Sequence, residues 1–395
     1  MRGASEHMRT NKIRQIYSRI PKRGVTGCLL LAAGIILTAL AANVDGPAQW
    51  YSRQVYPVWV NLWGRLCGIF PFSVAEILLY LLVAGFLLSL GRLIWRLIRA
   101  GKCGFRQSKG QTPLGRRQIL ASWGSGFLLA AGVLYFLYVL NCGINYYRTS
   151  FSESSGITME TYSVEELTLV CRKLTEEVNE RSGRVERDTD GVMRLDAEEN
   201  GKVQERAVEA MQELGTVYPE LSGYYPKPKP LLNAWILSVQ KLSGVYSPFT
   251  VEANYNSAMT DYNIPFTACH ELSHLKGFMQ EQEANFIAFL AGITYDDPEF
   301  QYSSYLTGWI YCMNMLRDAD EEAWEQVRSG LSGEVELDLQ ANSRFWARYD
   351  GAAAEAADRI NDQYLQANGQ KEGIKSYDRM VDLIVEYYCG GTAEK

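Results

Sequence analysis

Three long apolar runs constrain this 395-residue chain more than any other feature. Residues 25–42, 73–90 and 119–140 contain one charged side chain between them, Glu76, near the end of its run. A helix needs roughly 20 mostly apolar residues to cross the hydrocarbon core of a bilayer, so each run is expected to span. Glu76 can then reach headgroup water instead of sitting at the centre. A basic segment before an apolar run also fits a cleaved signal peptide. This run is long and two more follow, so an uncleaved span is expected.

The flanks set the expected orientation. Residues 1–24 carry Arg2, Arg9, Lys12, Arg14, Arg19, Lys22 and Arg23 against Glu6, and residues 91–118 carry eight Lys or Arg and no acid. Basic loops stay on the cytoplasmic side. The expected plan is a cytoplasmic tail (1–24), a three-span region (25–140) with a basic cytoplasmic loop (91–118), and an extracytoplasmic domain (141–395). The protein is then multi-pass in the cell membrane, with the bilayer as its first partner. The net charge of −6 conceals this asymmetry, since basic residues crowd the N-terminal third and acidic ones the remainder. A nucleic-acid partner is excluded, because the cations flank apolar runs. Between the first two spans the chain is aromatic (Trp50, Tyr51, Tyr56, Trp59, Trp63 and Phe70), and Arg53, Trp59, Leu62 and Leu66 predict an amphipathic helix at the membrane interface.

The region after residue 141 reads as mainly α, with a little β. Ser163 and Glu166 form a capping-box pattern ahead of the stripe Leu167, Val170, Leu174 and Val178. Helices are expected over 202–214, 231–242, 302–316, 321–331, 351–365 and 376–388. The prolines of 224–230 impose an extended connector. Residues 246–256 alternate and are the best strand candidate.

Two of the three histidines in the chain fall in one segment, His270-Glu271-Leu272-Ser273-His274. Residues four apart share a helix face, so both imidazoles can meet one metal ion, and Glu271 can reach water on it. The neighbours Phe266 to Cys269, Leu272 and Leu275 are too apolar for an exposed helix. Gly277 is the expected end of this helix. The eight cysteines form no CxxC pair, which argues against a cysteine-ligated zinc and a dense disulfide framework.

A catalytic Zn2+ takes three protein ligands and keeps one position for water. The next helix, from about residue 280, offers Glu281 and Glu283. Glu283 lines up with Phe286, Ile287 and Leu290 on the expected buried stripe, where a carboxylate needs a compensating cation. Glu283 is therefore the expected third ligand, and Glu281, off that stripe, is expected to be solvated. Asn285 is a candidate to orient a ligand or a water. Glu252 and Asn254 are candidates to line a substrate groove. Tyr302, Tyr305, Tyr311, Tyr377 and Arg379 are candidates to stabilise an oxyanion, and the sequence does not choose among them.

The run His270-Glu271-Leu272-Ser273-His274 followed by Glu283-Ala284-Asn285-Phe286 resembles the gluzincin metallopeptidases. Over nearly its whole length the chain also looks like a family of uncharacterised bacterial membrane proteins. The shared marks are the three N-terminal spans, Ile69-Phe70-Pro71-Phe72-Ser73, Tyr224-Tyr225-Pro226-Lys227, Pro248-Phe249-Thr250-Val251-Glu252-Ala253-Asn254 and Pro265-Phe266-Thr267-Ala268-Cys269. The resemblance implies zinc binding and hydrolysis of a protein or peptide substrate, with Glu271 as the catalytic base and His270, His274 and Glu283 holding the metal. Asn285 stands where several gluzincins have Asp. The rival reading is a membrane sensor or scaffold with a structural or vestigial zinc. No span has a clear GxxxG seam, and the oligomeric state is left open.

Overall fold

The computed structural model describes residues 22–102, 115–157, 161–195, 202–371, 373 and 379–390. His7, most of the 1–24 tail, part of the basic loop and Tyr377 lie outside the described residues. The chain forms two compact units. One runs to Asp45 and resumes over Glu76–Leu140, and the other comprises Gly46–Ala75 and Asn141 onward.

The N-terminal part contains α1 (Lys22–Asn43), a helical stretch α2 over residues 47–68, α3 (Val74–Lys102) and α4 (Arg116–Asn141). The helices α1, α3 and α4 are each long and apolar enough to cross a membrane. The second and third extend past the runs 73–90 and 119–140. Arg92, Arg96 and Arg99 continue α3 through what reads as a loop, because arginine is a good helix former. Within the first unit, α1 and α4 meet backbone to backbone. A Cβ on Gly27 would lie 2.6 Å from the Leu128 carbonyl oxygen, and one on Gly132 would lie 2.6 Å from that of Gly27. Small residues permit this approach, which substitutes for hydrophobic driving force in lipid. Trp123 donates to Ser89 Oγ at 2.9 Å, joining α4 to α3.

In the second unit, α2 alternates α turns with π turns at Tyr51–Val55 and Val60–Gly64. The 3-10 turn Gly143–Tyr147 and the short helix Phe151–Ser155 follow α4. Next come α5 (Val164–Ser182) and α6 (Val203–Val217). The capping box at Ser163 forms as the sequence predicts, with Ser163 N donating to Glu166 at 2.7 Å and Glu166 N to Ser163 Oγ at 3.2 Å.

A three-stranded sheet has the order β1 (Lys229–Pro230), β3 (Glu252–Tyr255), β2 (Gly244–Ser247). β1 is parallel to β3, and β2 is antiparallel, with Gly244 opposite Tyr255 and Ser247 opposite Glu252. The single strand expected over 246–256 is thus a hairpin. Its turn puts the buried Val251 at φ 53, a left-handed position where the sequence offers no Gly, Asn or Asp to signal a turn. Residues 231–242 supply only one helical turn, Trp235–Ser238, and the chain then reverses at Lys241, φ 54.

The rest is helical: α7 (Asn263–Leu275), α8 (Glu281–Thr294), α9 (Pro298–Ala319), α10 (Glu321–Arg328), α11 (Gly333–Ala347), α12 (Ala352–Ala367) and α13 (Met380–Cys389). α11 lies outside the helices that the sequence predicts. α7, α8 and α9 pack on one another at the centre, α5 lies along α9, and the sheet packs on α7. Trp309 donates to Thr175 at 2.8 Å across α9 and α5. Arg206 on α6 binds Asp297 at 2.7 Å and Glu299 at 2.6 Å, fixing the start of α9.

Candidate metal centre

The helix α7 is built for burial on nearly every side. Pro265 occupies its first turn, where a missing N–H costs nothing. Gly277 terminates it at φ 90, with Gly277 N bonding His274 O at 2.8 Å and Phe278 N bonding Ser273 O at 3.2 Å. This left-handed cap does more than end the helix. It brings the Phe278 carbonyl to 2.8 Å from His274 Nδ1. A carbonyl only accepts, so Nδ1 carries the proton, and the lone pair of a neutral His274 is on Nε2.

Both imidazoles face the first turn of α8. His270 Nε2 lies 3.4 Å from Glu281 Oε2, and His274 Nε2 lies 3.6 Å from it. The donor atoms of His270, His274 and Glu281 all lie within 4.8 Å of one another. Zinc bonds of about 2.0–2.1 Å in a tetrahedron separate donor atoms by about 3.3 Å, so the spacing fits a shared ion. Beside the cluster, Glu271 Oε2 and the His270 Nδ1 that faces away from Glu281 are buried and have no hydrogen-bond partner among the described residues. Two imidazoles and one carboxylate form a borderline donor set that suits Zn2+.

The electrostatics follow from that crowding. Burial would raise Glu281, but the two histidines hold it far below the usual carboxylate range. Burial lowers His270. Burial would lower His274 as well, yet the Glu281 charge wins and raises it to about 9. One carboxylate compensates one imidazolium, and His274 keeps the proton. Glu271, 3 % exposed, is pushed by burial up to about 8.

Glu283, expected as the third ligand, is elsewhere. Its carboxylate accepts from Ser152 N at 2.8 Å and Ser152 Oγ at 2.7 Å. Burial raises its pKa and those bonds work against the rise. The helix α8 is buried all round from Glu281 to Gly292, so no apolar stripe singles out a ligand. The usable signal was proximity. Only residues 276–280 separate the two helices, so the first turn of α8 is the part that can reach back to His274.

A family model described as a protein of unknown function, DUF3810, matches residues 51–385. The chain belongs to that family. Neither a curated protein nor a solved structure matches it. This DUF3810 member therefore carries a His/His/Glu cluster after three helices able to span a membrane.

The other candidates divide sharply. Asn285, one turn after Glu281, approaches His270 closely enough to favour its charged form, although His270 Nδ1 and Asn285 Nδ2 form no hydrogen bond. Glu252 is no groove residue. It is buried, binds Lys229 Nζ at 2.6 Å, and accepts from Val74 N at 3.2 Å and Ala75 N at 2.8 Å, tying the start of α3 to the sheet. Asn254 is fully buried and bonds within its own hairpin, to Val245 O at 3.3 Å and Glu252 O at 3.1 Å. Tyr302 donates to Asp338, which also holds Arg187 at 3.0 Å and Met193 N at 2.7 Å, a structural knot. Tyr305 packs edge-on to Phe289 with Arg181 over its ring at 4.4 Å. Arg379 lines a cavity of about 430 Å³ together with Gln280 and Gln282, the neighbours of Glu281.

Gly244 carries no local signal of its role. A Cβ there would lie 2.8 Å from Glu271 Cγ and from Thr267 Cγ2, and closer still to Glu271 Oε1. Ser243-Gly244 reads in the sequence as a helix stop, and in the fold it lets β2 pass against the Glu271 carboxylate.

Proposed function

We propose that this protein is a membrane-anchored, zinc-dependent metallopeptidase of gluzincin type, with His270, His274 and Glu281 as metal ligands and Glu271 as the catalytic base. The observation that carries the reading is Glu271. A structural metal site has no use for a buried, unpartnered carboxylate beside its ligands, and this one is not in the ligand cluster. When bound, zinc supplies Lewis-acid polarisation of the scissile carbonyl and makes water acidic enough to deprotonate near neutrality. Glu271 takes that proton as water attacks and delivers it to the leaving amine. Its upward-shifted pKa suits both halves of the transfer. The Phe278 carbonyl fixes the tautomer of His274.

The basic segments flanking the spans favour a cytoplasmic N-terminus, which leaves the metal-bearing part extracytoplasmic and its protein or peptide substrate outside the cell membrane. The test uses the full-length protein with a fluorogenic peptide library. Glu271→Gln is expected to keep its zinc and lose hydrolysis. A Glu271→Gln protein that cleaves like wild type would remove Glu271 from the chemistry, and a wild-type protein that holds zinc and cleaves nothing would return the scaffold reading.

A further inference from the structure

A second feature of the same unit lies outside the metal centre. A cavity of about 380 Å³ is walled by α2, by the segment around Glu220 and Ser222, and by the residue capping α7, Lys276. Among the described residues lining it are three cations, Arg53, Arg148 and Lys276, against one acid, Glu220. Arg53 pairs with Glu220 at 3.6 Å. The other two meet no carboxylate within 4.0 Å among the described residues. Arg148 donates to Lys276 O at 3.0 Å and stacks over Phe278 at 3.9 Å, while Lys276 donates to Ser222 O at 2.6 Å. Arg148 is only 8 % exposed, and its Nε has no hydrogen-bond partner.

A buried guanidinium is costly without a close partner, and Glu220 and Glu283 act on Arg148 only from beyond 4.0 Å, so the cavity has room for an anion between its cations. A planar guanidinium beside an ammonium is the donor set that grips phosphate oxygens. Asn61 and Ser222 line the cavity and can add neutral polar contacts. The helix that forms one wall also bears an exposed apolar row, Trp50, Val58, Leu62 and Leu66. Short links, residues 44–46 and 69–73, join that helix to two helices able to span a membrane. An apolar row next to cations is how an interfacial helix meets phospholipid.

We propose that this cavity binds the phosphate of a glycerophosphate ester, either as the headgroup of an anionic phospholipid or as the free ester. The site is independent of the metal reading, because none of its residues is a ligand or the base. The experiment takes the full-length chain in maltoside micelles and titrates it with glycerol 1-phosphate, dihexanoyl phosphatidylglycerol or dihexanoylglycerol, counting bound ligand by native mass spectrometry. One phosphate ester per chain is expected. Arg53→Gln and Lys276→Gln are each expected to weaken it by about tenfold, the effect of losing one charge-assisted contact, with an unchanged circular dichroism spectrum. Arg148→Gln also disturbs the α7 cap, so the other two variants decide. Binding of phosphatidylglycerol alone assigns the lipid, and equal binding of glycerol 1-phosphate assigns the free ester. No bound phosphate ester, equal retention of the phosphate-free dihexanoylglycerol, or affinity unmoved by both substitutions would overturn the site.

Discussion

Exchanging the two acidic residues of α8 one at a time separates ligand from scaffold. Glu283→Gln replaces one of two acceptor oxygens with an amide donor facing Ser152, whose N and Oγ now donate at 2.8 and 2.7 Å. Loss of one buried hydrogen bond, with a mismatched donor left behind, costs about 1–3 kcal/mol. In a unit of this size that lowers the unfolding midpoint by roughly 2–12 °C. Zinc content is expected to remain at wild-type level, because Glu283 is bonded to Ser152 and is not part of the His270–His274–Glu281 cluster. Glu281→Gln removes the only carboxylate in the His270–His274 cluster among the described residues. Residues that merely orient a ligand contribute about 10–100-fold to metal affinity, and losing a direct anionic ligand is expected to exceed that. The assay is zinc per chain by plasma mass spectrometry after dialysis against a graded chelator, alongside thermal unfolding. Zinc lost from Glu283→Gln and kept by Glu281→Gln would refute the assignment.

Two more expectations concern the same site. Gly244→Ala places a methyl group against Glu271 and Thr267, and displacing the base by about 1 Å is expected to lower kcat/KM by about 100-fold with zinc retained; an unchanged kcat/KM would show that β2 does not hold Glu271 in place. Zinc uptake should also depend on pH. In the metal-free protein His274 holds its proton up to about pH 9, and zinc needs the neutral ring, so each ion bound below that pH displaces a proton. Apparent affinity should rise about tenfold per pH unit up to about pH 9 and then level off, and calorimetry in buffers of different ionisation enthalpy reads the released proton. Uptake that releases no proton near neutral pH would contradict the His274–Glu281 pairing.

The parts of this protein that follow local rules were legible in the sequence. Length and apolarity gave the three helices able to span, spacing gave the His270–His274 face, and Ser163-x-x-Glu166 gave a helix start. The errors arose where tertiary packing overrides local pattern. α8 is buried on all sides, so Glu283 on an apparent apolar stripe looked like the residue in need of a cation, and the Ser152 groups that satisfy it lie 131 positions away. Glu252 looked like a strand-end groove residue because nothing local shows its bonds to Lys229 and to the start of α3. The hairpin at 248–251 stayed hidden because Val251, a β-branched residue, holds its left-handed turn. Gly244 was ambiguous for the same reason: its role lies in the space it leaves beside a residue 27 positions away, which only the packed structure reveals.

The most direct test is X-ray absorption at the zinc edge on the purified full-length protein. Two imidazole nitrogens plus oxygen donors at about 2.0–2.1 Å, with no sulfur shell near 2.3 Å, is the signature expected of His270, His274 and Glu281. A sulfur shell, a single imidazole, or protein that takes up no stoichiometric zinc would contradict the metal centre.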